Sequence, residues 1–118
     1  IETRLSLLWS AGVGKGRLTH ERFVAVTAAG PARLYGLYPR KGAIAVGADA
    51  DLVVWDPARE VTLTAAALHQ RVDYTPYEGW TVRGYPCDVV LRGQVIVRRG
   101  EFVGQRDGGR FVGPVACS

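Results

Sequence analysis

A change of hydrophobic period at Gly36 divides this chain. Before it, apolar residues repeat at helical spacing; after it, they come in short runs bounded by turn residues. Leu5, Leu8, Trp9 and Gly12 fall at i, i+3, i+4 and i+7, with Arg4 and Ser6 off that stripe. Gly12, Gly14 and Gly16 then end the helix. Thr19 is placed to cap a second helix, and Glu21 follows in its first turn, where the helix dipole favours an anion. Phe23, Val26 and Thr27 form the inner face of that segment. Gly30-Pro31 breaks the run, and Pro31 suits the first position of another short helix, Ala32 to Leu37. The pattern thus predicts three helices with short joints over residues 3–37.

From there the turn residues take over. Pro39, Gly42, Gly47 and Pro57 punctuate the next stretch, and Leu52-Val53-Val54-Trp55 is a compact β-type run between Asp51 and Asp56. Val61-Thr62-Leu63 reads as a short strand and Thr64 to Leu68 as a helical turn. Tyr74-Thr75-Pro76-Tyr77-Glu78-Gly79-Trp80 reads as an ordered aromatic loop. Val89-Val90-Leu91, Arg92-Gly93-Gln94 and Val95-Ile96-Val97 predict a hairpin with glycine at its turn. A second turn, Arg99-Gly100, leads to Glu101-Phe102-Val103, and beyond Gly104 the Gly- and Arg-rich sequence predicts a loose tail.

Helices first and strands second means α+β, or the junction between two domains of a larger protein. The junction is favoured here. Three short helices and a small half-sheet bury little area, and at about 25 cal/mol per Å² such a core is marginal alone. The chain also opens at Ile1 with a helical pattern within three residues and contains no Met. That start is expected of a piece of something longer, or of a chain that has lost a tag or leader.

Composition narrows the function classes. Hydrophobic residues are 47% and charged residues 22%, as in ordinary globular domains. The net charge of +4 is scattered, its densest groups being the pairs Arg98-Arg99 and Arg40-Lys41. A nucleic-acid or membrane surface needs clustered Lys and Arg, so neither partner is expected. No run approaches the roughly 20 apolar residues of a membrane span. Cys87 and Cys117 match no zinc-ligand spacing. They could form one disulfide, but two thiols in a reducing cytoplasm fit better.

The chemistry-bearing residues are few. A hydrolytic metal site needs several His and carboxylate ligands around the ion. The two histidines, His20 and His69, are far apart and belong to no H-x-H or H-E-x-x-H pair. His20 reads as a solvated first-turn residue, and His69 as a structural hydrogen-bonding or interface residue. Alternation places Asp49 and Asp51 on one side of an extended chain, with Asp56 after the strand. The pair could bind a cation, but aspartates at a turn entering a strand usually accept backbone N–H bonds. Ser6, Ser10 and Ser118 lie in no G-x-S-x-G turn. Gly12-Val13-Gly14-Lys15-Gly16 lacks phosphate-loop spacing and follows a helix, so it reads as a cap and linker. The aromatic loop suits an interface better than base or sugar stacking. No catalytic, cofactor-binding or metal-binding residue is assigned.

Several segments resemble one family. Ile1 to Leu5 is similar to the start of the last barrel helix in dihydropyrimidinases and D-hydantoinases. Leu37 to Gly42, then Ile44 to Pro57, resembles the exit from that barrel into a small β domain, a stretch many amidohydrolases share. Val72-Asp73-Tyr74-Thr75-Pro76-Tyr77-Glu78-Gly79 resembles the hydantoinase/dihydropyrimidinase branch more specifically. Gly93 to Val97 and Gly100-Glu101-Phe102 resemble that branch's closing hairpin.

The resemblance covers essentially the whole chain. It implies the last helices of a (β/α)8 barrel over residues 1–38 and β-sandwich strands over 39–104. The aromatic interface loop then spans 72–80 and a flexible tail 105–118. It implies a cytoplasmic parent enzyme with two zinc ions that opens hydantoins or dihydropyrimidines to N-carbamoyl amino acids. All of its metal ligands would lie upstream of Ile1. The expected partners are the missing N-terminal barrel portion and further copies in a homo-oligomer. Alternatives are a non-catalytic dihydropyrimidinase-like scaffold protein and an allantoinase-type enzyme.

Overall fold

In the computed structural model, residues 1–105 and 107–113 are described. Cys117 and Ser118, the candidate disulfide with Cys87, and the end of the predicted tail lie outside them. Helix α1, Arg4–Leu8, runs on into a π-helical turn, Trp9–Val13. Helix α2, His20–Val24, runs on into a second such turn, Ala25–Ala29, and then into α3, Gly30–Leu34. Strands β1 (Leu52–Thr62), β2 (Thr81–Leu91), β3 (Gln94–Arg98) and β4 (Glu101–Phe102) form a sheet in that order. A 3₁₀ turn, Ala65–Ala67, follows β1. The chain is α+β, as expected.

Two elements depart from the expectation. Gly30-Pro31 does not interrupt the second helical run. The Gly30 N–H reaches back five residues to the Ala25 carbonyl, and Pro31 falls in the first turn of α3, where its missing donor costs nothing. The helix also ends at Leu34, three residues earlier than predicted. Second, Leu52–Trp55 and Val61–Leu63 are not separate strands: one strand runs through Pro57. Asp56 Oδ1 accepts from the N–H groups of Ala58 and Arg59 at 2.9 and 3.1 Å, so the two donors that follow Pro57 are satisfied locally.

The hairpins form as the sequence predicts. Leu91 faces Gln94 and Val90 faces Val95, and a bulge moves Val89 opposite Val97. Arg92 and Gly93 both have positive φ, 48° and 82°, as do Arg99 and Gly100, 52° and 88°. Two such residues in succession make a tight turn whose twist matches the strands it joins.

The chain divides into two compact units: residues 1–23 with 55–86, and residues 24–54 with 87–118. The first unit owns a core. Leu63 and Val82 are nearly inaccessible, at 1% and 2%, and Phe23 and Leu68 are also buried. Trp9 stands edge-on to Phe23, ring centroids 5.1 Å apart, and lies 5.4 Å from Trp55. Ser10 Oγ accepts the Arg83 N–H of β2, and Leu63 and Trp80 are joined through backbone N–H and C=O at 2.8 Å. The Trp55 indole N–H is buried without an acceptor among the described residues.

The second unit buries one apolar side chain among the described residues, Ala32. Its helical run packs on a loop glycine. A Cβ on Gly42 would stand 2.7 Å from the Ala32 Cβ and 2.9 Å from the Ala28 carbonyl oxygen. The Arg33 guanidinium lies over the Tyr38 ring at 4.2 Å.

In the first unit the tightest fit is Gly84. Its φ is +95°, and a Cβ there would lie 2.1 Å from Trp9 Cδ1. Gly84→Ala combines a left-handed-region penalty with overpacking of the indole, together about 2–4 kcal/mol. Urea unfolding followed by tryptophan fluorescence should show that loss; a change below about 1 kcal/mol would refute the packing.

Candidate functional site

The densest polar cluster lies in the second unit, where the chain leaves the helices and enters β1. Lys41 Nζ stands 2.8 Å from Asp49 Oδ2 and also contacts Asp51 Oδ2, while Arg40 Nε holds Asp49 at 3.1 Å. Asp51 Oδ1 accepts the Arg92 N–H at 2.8 Å, and the Asp49 N–H bonds the Arg40 carbonyl. Alternation does place the two carboxylates together, but what lies between them is a lysine.

The electrostatics follow. The hydrogen bond from Lys41 lowers the Asp49 carboxyl most, with Arg40 adding to it. Burial is the largest single influence on Asp51 and pushes it up, as does the Asp49 charge. Lys41 and the Arg92 N–H together outweigh both and hold it below the ordinary value. Hydrogen bonds to Asp49 and then Asp51 raise Lys41. A carboxylate pair whose two charges are balanced by Lys41 and Arg40 offers a cation little net attraction, and neither carboxyl has the raised pKa suited to a general acid. Its geometry serves as a clasp. It ties residues 40–41 to 49–51 and, through Asp51, to the β2–β3 turn.

A similar aspartate serves the other turn: Asp88 Oδ1 accepts the Arg99 N–H at 2.8 Å. At both hairpins the residue entering the turn at positive φ is thus an arginine whose N–H is held by an aspartate. A hollow of about 360 Å³ lies beside the clasp, lined by Pro39, Arg40 and Ala45 to Ala48. Arg40 is its one ionisable lining residue, and Asp49 already pairs with it.

In the first unit, His69 meets Glu2. Glu2 Oε1 lies 2.8 Å from His69 Nδ1, and Glu2 Oε2 accepts the His69 N–H, also at 2.8 Å. The Glu2 charge, after burial, also raises the Tyr85 hydroxyl, which Arg59 opposes. His20 lies elsewhere, exposed at the start of α2 with its ring 5.3 Å from Trp9. Among the described residues no three His, Cys, Asp or Glu side chains gather. One imidazole with one carboxylate, and two aspartates already holding a lysine, do not fit a zinc ion. The aromatic loop is pinned from within. Glu78 accepts the Ala65 N–H at 2.7 Å, and Tyr77 packs edge-on to Trp80 at 5.5 Å. Tyr74 and Trp80 remain 68% and 56% exposed. Cys87 is half-buried in β2.

Residues 1–96 match the model of the "Amidohydrolase family". The chain belongs to the amidohydrolase family. Within it, the chain is 49% identical to a D-hydantoinase of Geobacillus stearothermophilus over 112 residues, which is 95% of this chain and 24% of that protein. It is 41% identical to the dihydropyrimidinase of Rattus norvegicus, again over 95% of this chain and 22% of the relative. The crystal form of a D-hydantoinase (dihydropyrimidinase) from Thermus sp. superposes with a TM-score of 0.89 at 47% identity, covering 92% of this chain and 24% of that one. This amidohydrolase chain therefore spans about a quarter of the length of these relatives. No helix among its described residues is long and apolar enough to cross a membrane.

The clasp gives a pH signature. Asp49 and Asp51 have lowered folded pKa values, so their contribution is fully present above the ordinary value of 3.8 and is lost as pH falls through the lower folded values. Lys41 is raised, so its contribution is present below 10.5 and is lost as pH climbs through its raised value. Lys41→Met should flatten both limbs of the stability–pH curve, read as urea midpoints. Limbs identical to those of the parent would contradict the clasp.

Proposed function

We propose that this chain is the C-terminal segment of a cyclic amidohydrolase of the hydantoinase/dihydropyrimidinase branch. The supporting observation is the 49% identity to a D-hydantoinase across 95% of this chain, confined to 24% of the relative. On this reading the parent opens hydantoin or dihydropyrimidine rings to N-carbamoyl amino acids. Two zinc ions serve it, held by residues outside this chain.

The chain's own part is structural. Residues 1–38 are the last helices of the barrel and 39–104 the return strands of a small β-sandwich. The loop 72–80 is an interface element, and 105–118 a flexible tail. The exposure of Tyr74 and Trp80 on an otherwise pinned loop supports the interface role. The parent works in the cytoplasm as a homo-oligomer, with no nucleic-acid or membrane partner. The scattered charge of +4 is in keeping with that.

No residue here is assigned to catalysis or metal binding. The clasp and the Glu2–His69 pair position backbone. The chain alone, given zinc and dihydrouracil or hydantoin, should produce no carbamoyl amino acid detectable by chromatography, and turnover would overturn the assignment. Replacing the matching C-terminal quarter of the Geobacillus stearothermophilus relative with this chain should leave ring opening intact. An inactive but folded chimera would count against the family role.

A further inference from the structure

We propose that Glu2 and His69 are positioning residues: through their contact, the loop after β1 sets the path of the segment that leads into α1, on which ring opening depends. This deepens the reading just given and rests on it. Both residues belong to the first unit. Glu2 spends both carboxylate oxygens on one partner. Its Oε1 meets His69 Nδ1 and its Oε2 accepts the His69 N–H, each at 2.8 Å. Two contacts to one residue fix the orientation of the carboxylate as well as its distance.

The two sides of this contact are unequally supported. His69 sits in a loop that holds itself. Leu68 before it and Thr75 after it are buried. Glu78 Oε2 and Thr64 Oγ1 accept the N–H groups of Ala65 and Ala67, and Gln70 Nε2 donates to the Tyr74 carbonyl at 2.8 Å. Residues 1–3 have less. The Ile1 and Thr3 carbonyls accept the N–H groups of Arg4 and Leu7, bonds that stay within the helix and its entry. Thr3 is buried, yet its side chain caps no helix N–H. Bonds of that kind fix the local turn and leave the path into it open. Among the described residues, Glu2 is the side chain that ties this path by hydrogen bonds to a distant part of the unit.

The functional consequence follows from barrel geometry. On the family reading α1 is the last barrel helix. The segment entering a barrel helix lies at the C-terminal face of the strands, where barrel enzymes keep their active sites. A displacement of about 1 Å there misplaces what the segment presents to the substrate. The pair need not touch the substrate to matter. Its side chains are 64% and 31% exposed for His69 and Glu2, and an exposed pair adds little stability. Loss of positioning can therefore be told from loss of folding.

The test uses the chimera in which this chain replaces the C-terminal quarter of the Geobacillus stearothermophilus relative. Glu2→Ala and His69→Ala should each lower kcat for ring opening about tenfold or more, with KM and the urea midpoint little changed. The double variant should be no worse than either single one, because the same contact is lost in all three. His69→Asn keeps an N–H donor near the Nδ1 position and should recover most of kcat. Arg71→Ala, exposed in the same loop, should leave both constants unchanged. In the chain alone, hydrogen exchange at the His69 N–H should quicken in Glu2→Ala. Unchanged exchange would overturn the contact. Alanine variants with the kcat of the chimera would overturn the positioning role, as would a loss that follows a lowered midpoint and that asparagine does not recover. With an active chimera those results leave the family reading standing. A folded chimera that is inactive before any substitution sinks both.

Discussion

The contact on which most of the first unit depends is that of Trp9 with Gly84. An indole from the end of α1 lies where a β2 side chain would stand, and it fits only because position 84 has no Cβ and a φ of +95°. From that seat Trp9 meets Phe23, Trp55 and His20. One glycine thus lets a helix and a sheet approach closely enough to bring two further aromatic rings into contact. Ser10, the next residue, then reaches the Arg83 N–H, so packing and hydrogen bonding register the same pair of elements. The π-helical turn at Trp9–Val13 belongs to this region as well: widening the helix there changes which residues face β2.

The second unit is organised by polar contacts. The one buried apolar residue among its described residues, Ala32, is too small to anchor two helical segments and the sheet's far strands. What defines the path from Leu37 to Leu52 is Lys41 between two aspartates, a glycine pressed against the helix and an aspartate holding each hairpin turn. Exposed or half-exposed ion pairs contribute little net stability each, because water competes for the same charges. They can select one loop path among many without making the unit stable alone.

How much of this the sequence disclosed depended on range. The hairpins were legible because Arg92-Gly93 and Arg99-Gly100 carry their turn chemistry locally. The segregation of helices from strands was legible from period alone. The Asp49–Asp51 pair was placed on one side by alternation, yet its partner Lys41 was not singled out. The signal was there, a basic pair and an acidic pair flanking a glycine-marked loop, but nothing in spacing says that the loop closes on itself. β1 was divided in two because proline argues against a strand. That rule weighs the missing donor, and it has no access to the Asp56 carboxylate that takes up the next two N–H groups. The Glu2–His69 contact joins residues 67 apart, and no local pattern encodes it.

The absence of an assigned catalytic residue also has a physical reading. Of the groups considered for chemistry, Asp49, Asp51, Asp56, His69 and Ser10 each meet a backbone or side-chain partner within the chain. Each of these contacts fixes a turn, a loop or a strand. The apolar groups of the second unit are the reverse case, since they are ordered in place and have little to pack against. The polar residues of this segment shape it, and the apolar side chains of its second unit stay exposed, in a chain that spans about a quarter of the length of its relatives.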